Sequence, residues 1–163
     1  GDMPYVSSDI ADYLLKKHFE AGADYTVATK FSVGTSVEII STSALKKVKK
    51  HFPNADYSEY MTWYFQNNPE YFNLNFVDLP QEWVRDYRLT LDYQEDLDVF
   101  NQIEEYFKVS NLDYSIMSLN KFLDENPKVS ELNSHISLVY KADKNLIKLL
   151  NEKTKIYESA NQS

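Results

Sequence analysis

Arg88-Leu89-Thr90-Leu91-Asp92-Tyr93-Gln94-Glu95-Asp96-Leu97 is the stretch that decides the fold class of this chain. Leu89 and Leu91 alternate with polar neighbours, the period of a half-buried strand. Leu97, Phe100, Ile103 and Phe107 then follow at helical spacing, so Glu95 to Phe107 reads as an amphipathic helix. A strand that passes directly into a helix is the repeating unit of an α/β domain. Between the two, Asp92-Tyr93-Gln94-Glu95 has the spacing of a capping box, with Asp92 at the N-cap and Glu95 three residues on. A carboxylate just after a strand is also where α/β sheets bind ligands, so Asp92 is a candidate for either role, and the two are compatible.

Upstream, the same alternation of elements recurs. Ser7-Ser8-Asp9 offers caps for a helix carrying Ile10, Tyr13 and Leu14, stopped at Ala21-Gly22. Asp24 to Thr29 is a β-rich run, and Gly34 separates it from a second expected strand, Ser36 to Ile40. Thr42 or Ser43 caps a helix that Pro53 ends. Ser58 opens another through Asn67, and Phe72 to Leu79 alternates as a strand. Beyond Asp113 the spacing is helical throughout: Ser115 to Leu123, Val129 to Ile136 and Lys144 to Lys153. The expectation is an α/β fold with a mainly parallel sheet that admits antiparallel strands. A helical appendage over residues 111–163 would pack on a body formed by 1–110.

Composition removes several function classes. The 163 residues carry 17 basic and 25 acidic side chains, a net charge of −8, with no basic face of the kind nucleic acids need. The densest cluster, Lys46, Lys47, Lys49 and Lys50, fits a solvated helix face. With no cysteine, disulfides, thiolate zinc sites and cysteine nucleophiles are ruled out, in keeping with a reducing, cytoplasmic compartment. No apolar run reaches the roughly 20 residues of a membrane-spanning helix. Gly1, Gly22 and Gly34 are the three glycines, too few and too scattered for a phosphate-cradling loop or a dinucleotide fingerprint. His18, His51 and His135 have no metal-ligand spacing. The first residue is Gly1, so the chain is expected to begin after processing or inside a longer protein.

Two carboxylates stand where a hard cation could be held: Asp2, before Pro4 and at the end of a strand expected to precede it, and Asp92. Arg88 is one of two arginines, and it either forks onto a phosphate or pairs with Asp86 or Asp92. Tyr60, Trp63, Tyr64 and Phe65 form an aromatic helix, whose bland reading is core packing and whose alternative is a platform for a sugar.

Four stretches together resemble the sugar cytidylyltransferase family, which includes the acylneuraminate and deoxy-octulosonate enzymes and the spore-coat-polysaccharide type. Gly1-Asp2-Met3-Pro4 resembles its Gly-Asp-x-Pro turn, and Gly34-Thr35-Ser36-Val37-Glu38 resembles a Gly-x-x-Val-Glu segment lining the sugar side. Ser58-Glu59-Tyr60-Met61-Thr62 with Asn68-Pro69-Glu70 resembles Glu-His-x-Thr…Asn-Pro, with Tyr60 where the family often has histidine. The stretch Arg88 to Leu97 resembles Arg-Leu-Thr-Val-Asp-x-x-Glu-Asp-Leu.

The resemblance implies the carboxyl-terminal part of a partial three-layer nucleotidyltransferase fold with a mixed sheet. It implies Mg²⁺ on Asp2 and Asp92, a catalytic role for Arg88, and sugar contacts from Glu38, Glu59 and Thr62. The implied substrates are CTP and a 2-keto sugar acid or related sugar, activated as a CMP-sugar for surface polysaccharide, in a possible homodimer. The family's glycine loop that holds the triphosphate has no counterpart here, so the chain alone is expected to be inactive. The alternatives are a non-catalytic sugar- or partner-binding module, or a transferase using another nucleotide.

Overall fold

The computed structural model describes residues 2–138 and 143–157. Gly1 of the Gly-Asp-Met-Pro turn lies outside the described residues, as do 139–142 and 158–163 of the expected appendage. Helix α1 (Ser8–Ala21) starts at Ser7, whose hydroxyl accepts the Ile10 N–H at 3.3 Å. Gly22, at φ 55°, turns the chain out of it. Strand β1 (Tyr25–Ala28) follows, then β2 (Ile39–Ile40), helix α2 (Thr42–His51), a 3-10 turn at Ser58–Tyr60, helix α3 (Met61–Gln66) and strand β3 (Leu74–Val77). Ser41 caps α2 by accepting from Ala44 N–H at 3.1 Å, one residue earlier than the sequence spacing placed the cap.

Among the described residues the sheet has the order β2-β1-β3. β1 runs parallel to β3, with Tyr25 opposite Leu74 and Ala28 opposite Val77, and antiparallel to β2, with Tyr25 opposite Ile40. The period of two assigns the faces. Thr26 and Ala28 meet α1, where Ile10 and Leu14 are buried and the His18 ring bonds the Thr26 hydroxyl at 2.9 Å. Tyr25 and Val27 meet α2 and α3 through Ala44, Val48, Tyr64 and Phe65. Helix, sheet and helices thus form three layers of an α/β fold with a mixed sheet. The core reading of the aromatic helix holds for Tyr64 and Phe65, which are buried.

Helix α4 (Gln94–Ser110) begins a second cluster of apolar packing with α5 (Ile116–Glu125) and α6 (Pro127–Ser130), built on Phe100, Ile103, Phe107, Leu119, Phe122 and Val129. Helix α7 (Lys144–Lys153) leads to a tail tied back to α3. The expected helix from Val129 to Ile136 is shorter: α6 ends at Ser130 and turns follow.

The expected strand Arg88–Leu91 is also corrected. Its regular pairing is a single parallel bridge between Val33 and Arg88, with Val33 N–H donating to Tyr87 O at 2.8 Å and Leu89 N–H to Val33 O at 2.7 Å. Gly34 explains the close crossing. Its φ is 91°, and a Cβ there would sit 2.0 Å from the Leu89 carbonyl oxygen. On the other side, Leu91 N–H donates to Asp2 O at 2.7 Å. The segment is therefore strung between the Gly34 loop and the amino-terminal residues rather than paired along a sheet.

Candidate functional site

A cavity of about 890 Å³ opens beyond the carboxyl end of β1. Its floor is apolar, from Val27, Phe31, Val37, Ile40 and Met61. Its polar wall contains all six residues singled out from sequence: Asp2, Glu38, Glu59, Thr62, Arg88 and Asp92. They come from four separate parts of the chain, with Glu38 brought there because β2 is antiparallel to β1 and so begins at the end where β1 finishes.

Glu38 stands immediately before β2. Its Oε1 accepts the Tyr25 hydroxyl at 2.7 Å and the Thr62 hydroxyl from the first turn of α3. Gln66 Nε2 in turn donates to the Tyr25 hydroxyl at 3.4 Å. Burial pushes the Tyr25 hydroxyl up from its ordinary value and the Glu38 carboxylate adds to that, so Tyr25 stays a donor to Glu38. Glu59 lies one turn before Thr62, on the 3-10 segment, and is exposed to the cavity.

Arg88 is held from below. Its guanidinium forks onto Asp96, Nε to Oδ1 at 2.9 Å and Nη2 to Oδ2 at 3.0 Å, and Nη2 also reaches Asp92 Oδ2 at 2.7 Å. The Arg88 and Asp96 side chains are 7% and 0% exposed, whereas that of Asp92 is 44% exposed. Asp96 additionally accepts the N–H groups of Asp92 and Tyr93, both at 3.0 Å, and the Asn133 amide at 2.8 Å. Burial alone would push its carboxyl up, but Arg88, the two backbone donors and Asn133 outweigh that and hold it below the ordinary aspartate value. The Asp96 hydrogen bond is the main reason the Arg88 guanidinium is held above its ordinary value.

The capping box is therefore displaced by one residue. Tyr93, not Asp92, sits at the N-cap of α4, and Asp96 is the residue three on that reaches back to its N–H. Asp92 is relieved of capping and turned toward the cavity. The bland reading of Arg88 is realised with Asp92 and not with Asp86, and its main partner, Asp96, was not singled out as a site residue. The Glu-Asp-Leu end of the sequence stretch was the signal available for it. Asn133 carried none, because its role depends on where the turn after α6 lands.

Asp2 is positioned through its backbone: its carbonyl accepts Leu91 N–H at 2.7 Å and the Thr90 hydroxyl at 3.2 Å. That places its exposed side chain on the same wall as Asp92. Among the described residues no group of three or more His, Asp or Glu side chains forms a metal cage. The donor set fits a different mode of binding. Mg²⁺ is commonly held by one or two carboxylates, its remaining positions filled by water and substrate phosphate oxygens, and Asp92 keeps its Oδ1 clear of Arg88.

No family model matches the chain. It is 30% identical over 141 residues to an uncharacterized protein of Methanocaldococcus jannaschii, covering 83% of this chain and 56% of that one. It is 29% identical over 130 residues to the spore coat polysaccharide biosynthesis protein SpsF of Bacillus subtilis, covering 78% of this chain and 53% of that one. The chain spans about half the length of the curated relatives it matches. A solved cytidylyltransferase from Leptospira borgpetersenii superposes with a TM-score of 0.66 at 24% identity, over 84% of this chain and 57% of that one. That likeness establishes the shared fold.

Proposed function

We propose that this chain supplies the sugar-binding and metal-binding wall of a cytidylyltransferase, which joins a sugar hydroxyl to the α-phosphate of CTP and releases pyrophosphate. The observation that carries the proposal is the convergence of Asp2, Glu38, Glu59, Thr62, Arg88 and Asp92 on one cavity at the carboxyl end of β1. Likeness to SpsF and to the Leptospira cytidylyltransferase supports the choice of reaction.

The chemistry is positioning with charge neutralisation. Asp2 and Asp92 would hold Mg²⁺, which when bound neutralises charge on the phosphate oxygens. Arg88 fixes Asp92 by its Nη2 bond, and its remaining charge is compensated by Asp96. Glu38 keeps Oε2 clear of Tyr25 and Thr62, so it can accept from a sugar hydroxyl, with Glu59 on the same cavity as a second acceptor. The apolar floor excludes water from the sugar's less polar face. The glycine-rich loop of the resembled family has no counterpart among these 163 residues, so triphosphate binding falls to residues beyond them.

A pyrophosphate-release assay with CTP, Mg²⁺ and a panel of sugars and sugar acids tests this on the chain and on its complete reading frame. Release by the complete protein alone is expected. Release by the 163-residue chain would overturn the division of labour, and no CTP-dependent release by either would overturn the reaction.

A further inference from the structure

The segment beyond α5 lines the cavity at Ser137 and Leu138 and braces Arg88 through Asn133. Asn133 lies in the turn after α6 and is 1% exposed. Its amide Nδ2 donates to the Arg88 carbonyl at 3.0 Å and to Asp96 Oδ1 at 2.8 Å. Resting on the functional reading above, we propose that Asn133 is a positioning residue for Asp92, acting through Asp96 and Arg88.

The argument is one of charge and valence. The two oxygens of Asp96 take five donors: Arg88 twice, Asn133, and the N–H groups of Asp92 and Tyr93. A second cation in place of Asn133 would compete with Arg88 for that carboxylate, and a carboxylate would repel it. An amide supplies two bonds from one NH₂ group without changing the charge. It pins both ends of Arg88, its carbonyl directly and its guanidinium through Asp96. That fixes Nη2, which Asp96 and Asp92 share, so the Asp92 carboxylate is oriented while its Oδ1 stays clear for a cation. Groups that orient a metal-binding carboxylate in this way commonly contribute 10- to 100-fold to metal affinity.

The experiment uses the two arginines of the chain. In ¹⁵N-labelled protein each Arg Nε–H forked onto a carboxylate gives a slowly exchanging signal, and Arg85→Lys removes the one held by Asp124. In Asn133→Ala the Arg88 signal should shift or broaden, and affinity for Mn²⁺ alone, read by proton relaxation, should fall about tenfold. Asn133→Gln, which keeps the amide, should recover part of both. Val129→Ala, a core truncation in the same segment, is the control matched for stability and should leave both unchanged. An unmoved Arg88 signal, or equal effects from Val129→Ala, overturns the positioning role whatever the metal does. A normal Arg88 response in a wild-type protein that binds no Mn²⁺ would keep the wiring and instead sink the metal reading of the site. If Asn133→Ala does not fold, the Asn133→Gln and Val129→Ala pair decides alone.

Discussion

Asp96 and Asn68 are both buried polar hubs, each 0% exposed, yet they do different work. Asn68 follows α3 and closes on itself. Its Nδ2 donates to the carbonyls of Tyr64 at 2.8 Å and Thr154 at 2.7 Å, and its Oδ1 accepts Ile156 N–H at 2.8 Å. Every partner is backbone and none lines the cavity, so the hub's job is to fasten the tail after α7 onto α3. Asp96 is as fully satisfied, but its network ends on Asp92, a charged side chain that is 44% exposed and faces the cavity. Burial with complete hydrogen bonding marks structure in both. The difference is that only one of the two networks ends on a charged side chain at a cavity.

The largest expected effect breaks the Asp96 side of the comparison. Asp96→Ala leaves Arg88 buried without its main partner and should cost about 3–5 kcal/mol, read as the shift in urea-unfolding free energy. The same network has a pH signature. Because its folded carboxyl is held below the ordinary value, Asp96 contributes stability that is complete above about pH 4 and is lost as pH falls through the folded value. Wild-type stability should therefore fall more steeply in acid than that of Asp96→Asn; parallel acid profiles would remove Asp96 from the account.

Gly34→Ala comes next. It places a Cβ against the Leu89 carbonyl at a φ of 91°, and should cost at least about 1–3 kcal/mol while weakening the Val33–Arg88 bridge. Hydrogen exchange at Leu89 N–H checks that coupling. Asn68→Ala should cost about 1–3 kcal/mol through the groups it leaves unpaired. It should raise exchange at Ile156 N–H without changing ligand binding, and altered binding would erase the distinction between the hubs. The smallest stability effect belongs to Asp92→Asn, about 0.5 kcal/mol, because the side chain is 44% exposed, Arg88 keeps its pair with Asp96 and no cap is lost. That variant should still bind Mn²⁺ more weakly, and a stability loss near that of Asp96→Ala would show that Asp92 is structural.

The alternation of strand and helix was legible because hydrophobic period depends on local sequence alone. α1, α4 and α5 appear close to their expected bounds, and β3 lies within its expected run. The strand expected at Arg88–Leu91 failed for a tertiary reason. Alternating leucines suggest one buried face, but here Arg88, Leu89 and Thr90 are all buried and Leu91 is exposed, because the segment is enclosed between the Gly34 loop and Asp2 rather than laid on a sheet face. The cap at Asp92 failed by one residue because Asp92 and Tyr93 are both followed at the right distance by an acid. Spacing alone cannot choose between them, and the ion pair with Arg88 does.

By itself the sequence determined the α/β class and the lack of cysteine and of a glycine-rich loop in these 163 residues, and its resemblance to a family pointed to six residues. Only the tertiary structure decided that those six share one cavity, that Asp96 rather than Asp92 serves the helix end, and that Asn133 bonds Arg88 and Asp96 behind that wall. The physical reason is separation along the chain. A helix is written in neighbours three and four residues apart, whereas Asp2 meets Leu91 and Asn133 meets Arg88 only after packing has brought distant segments together.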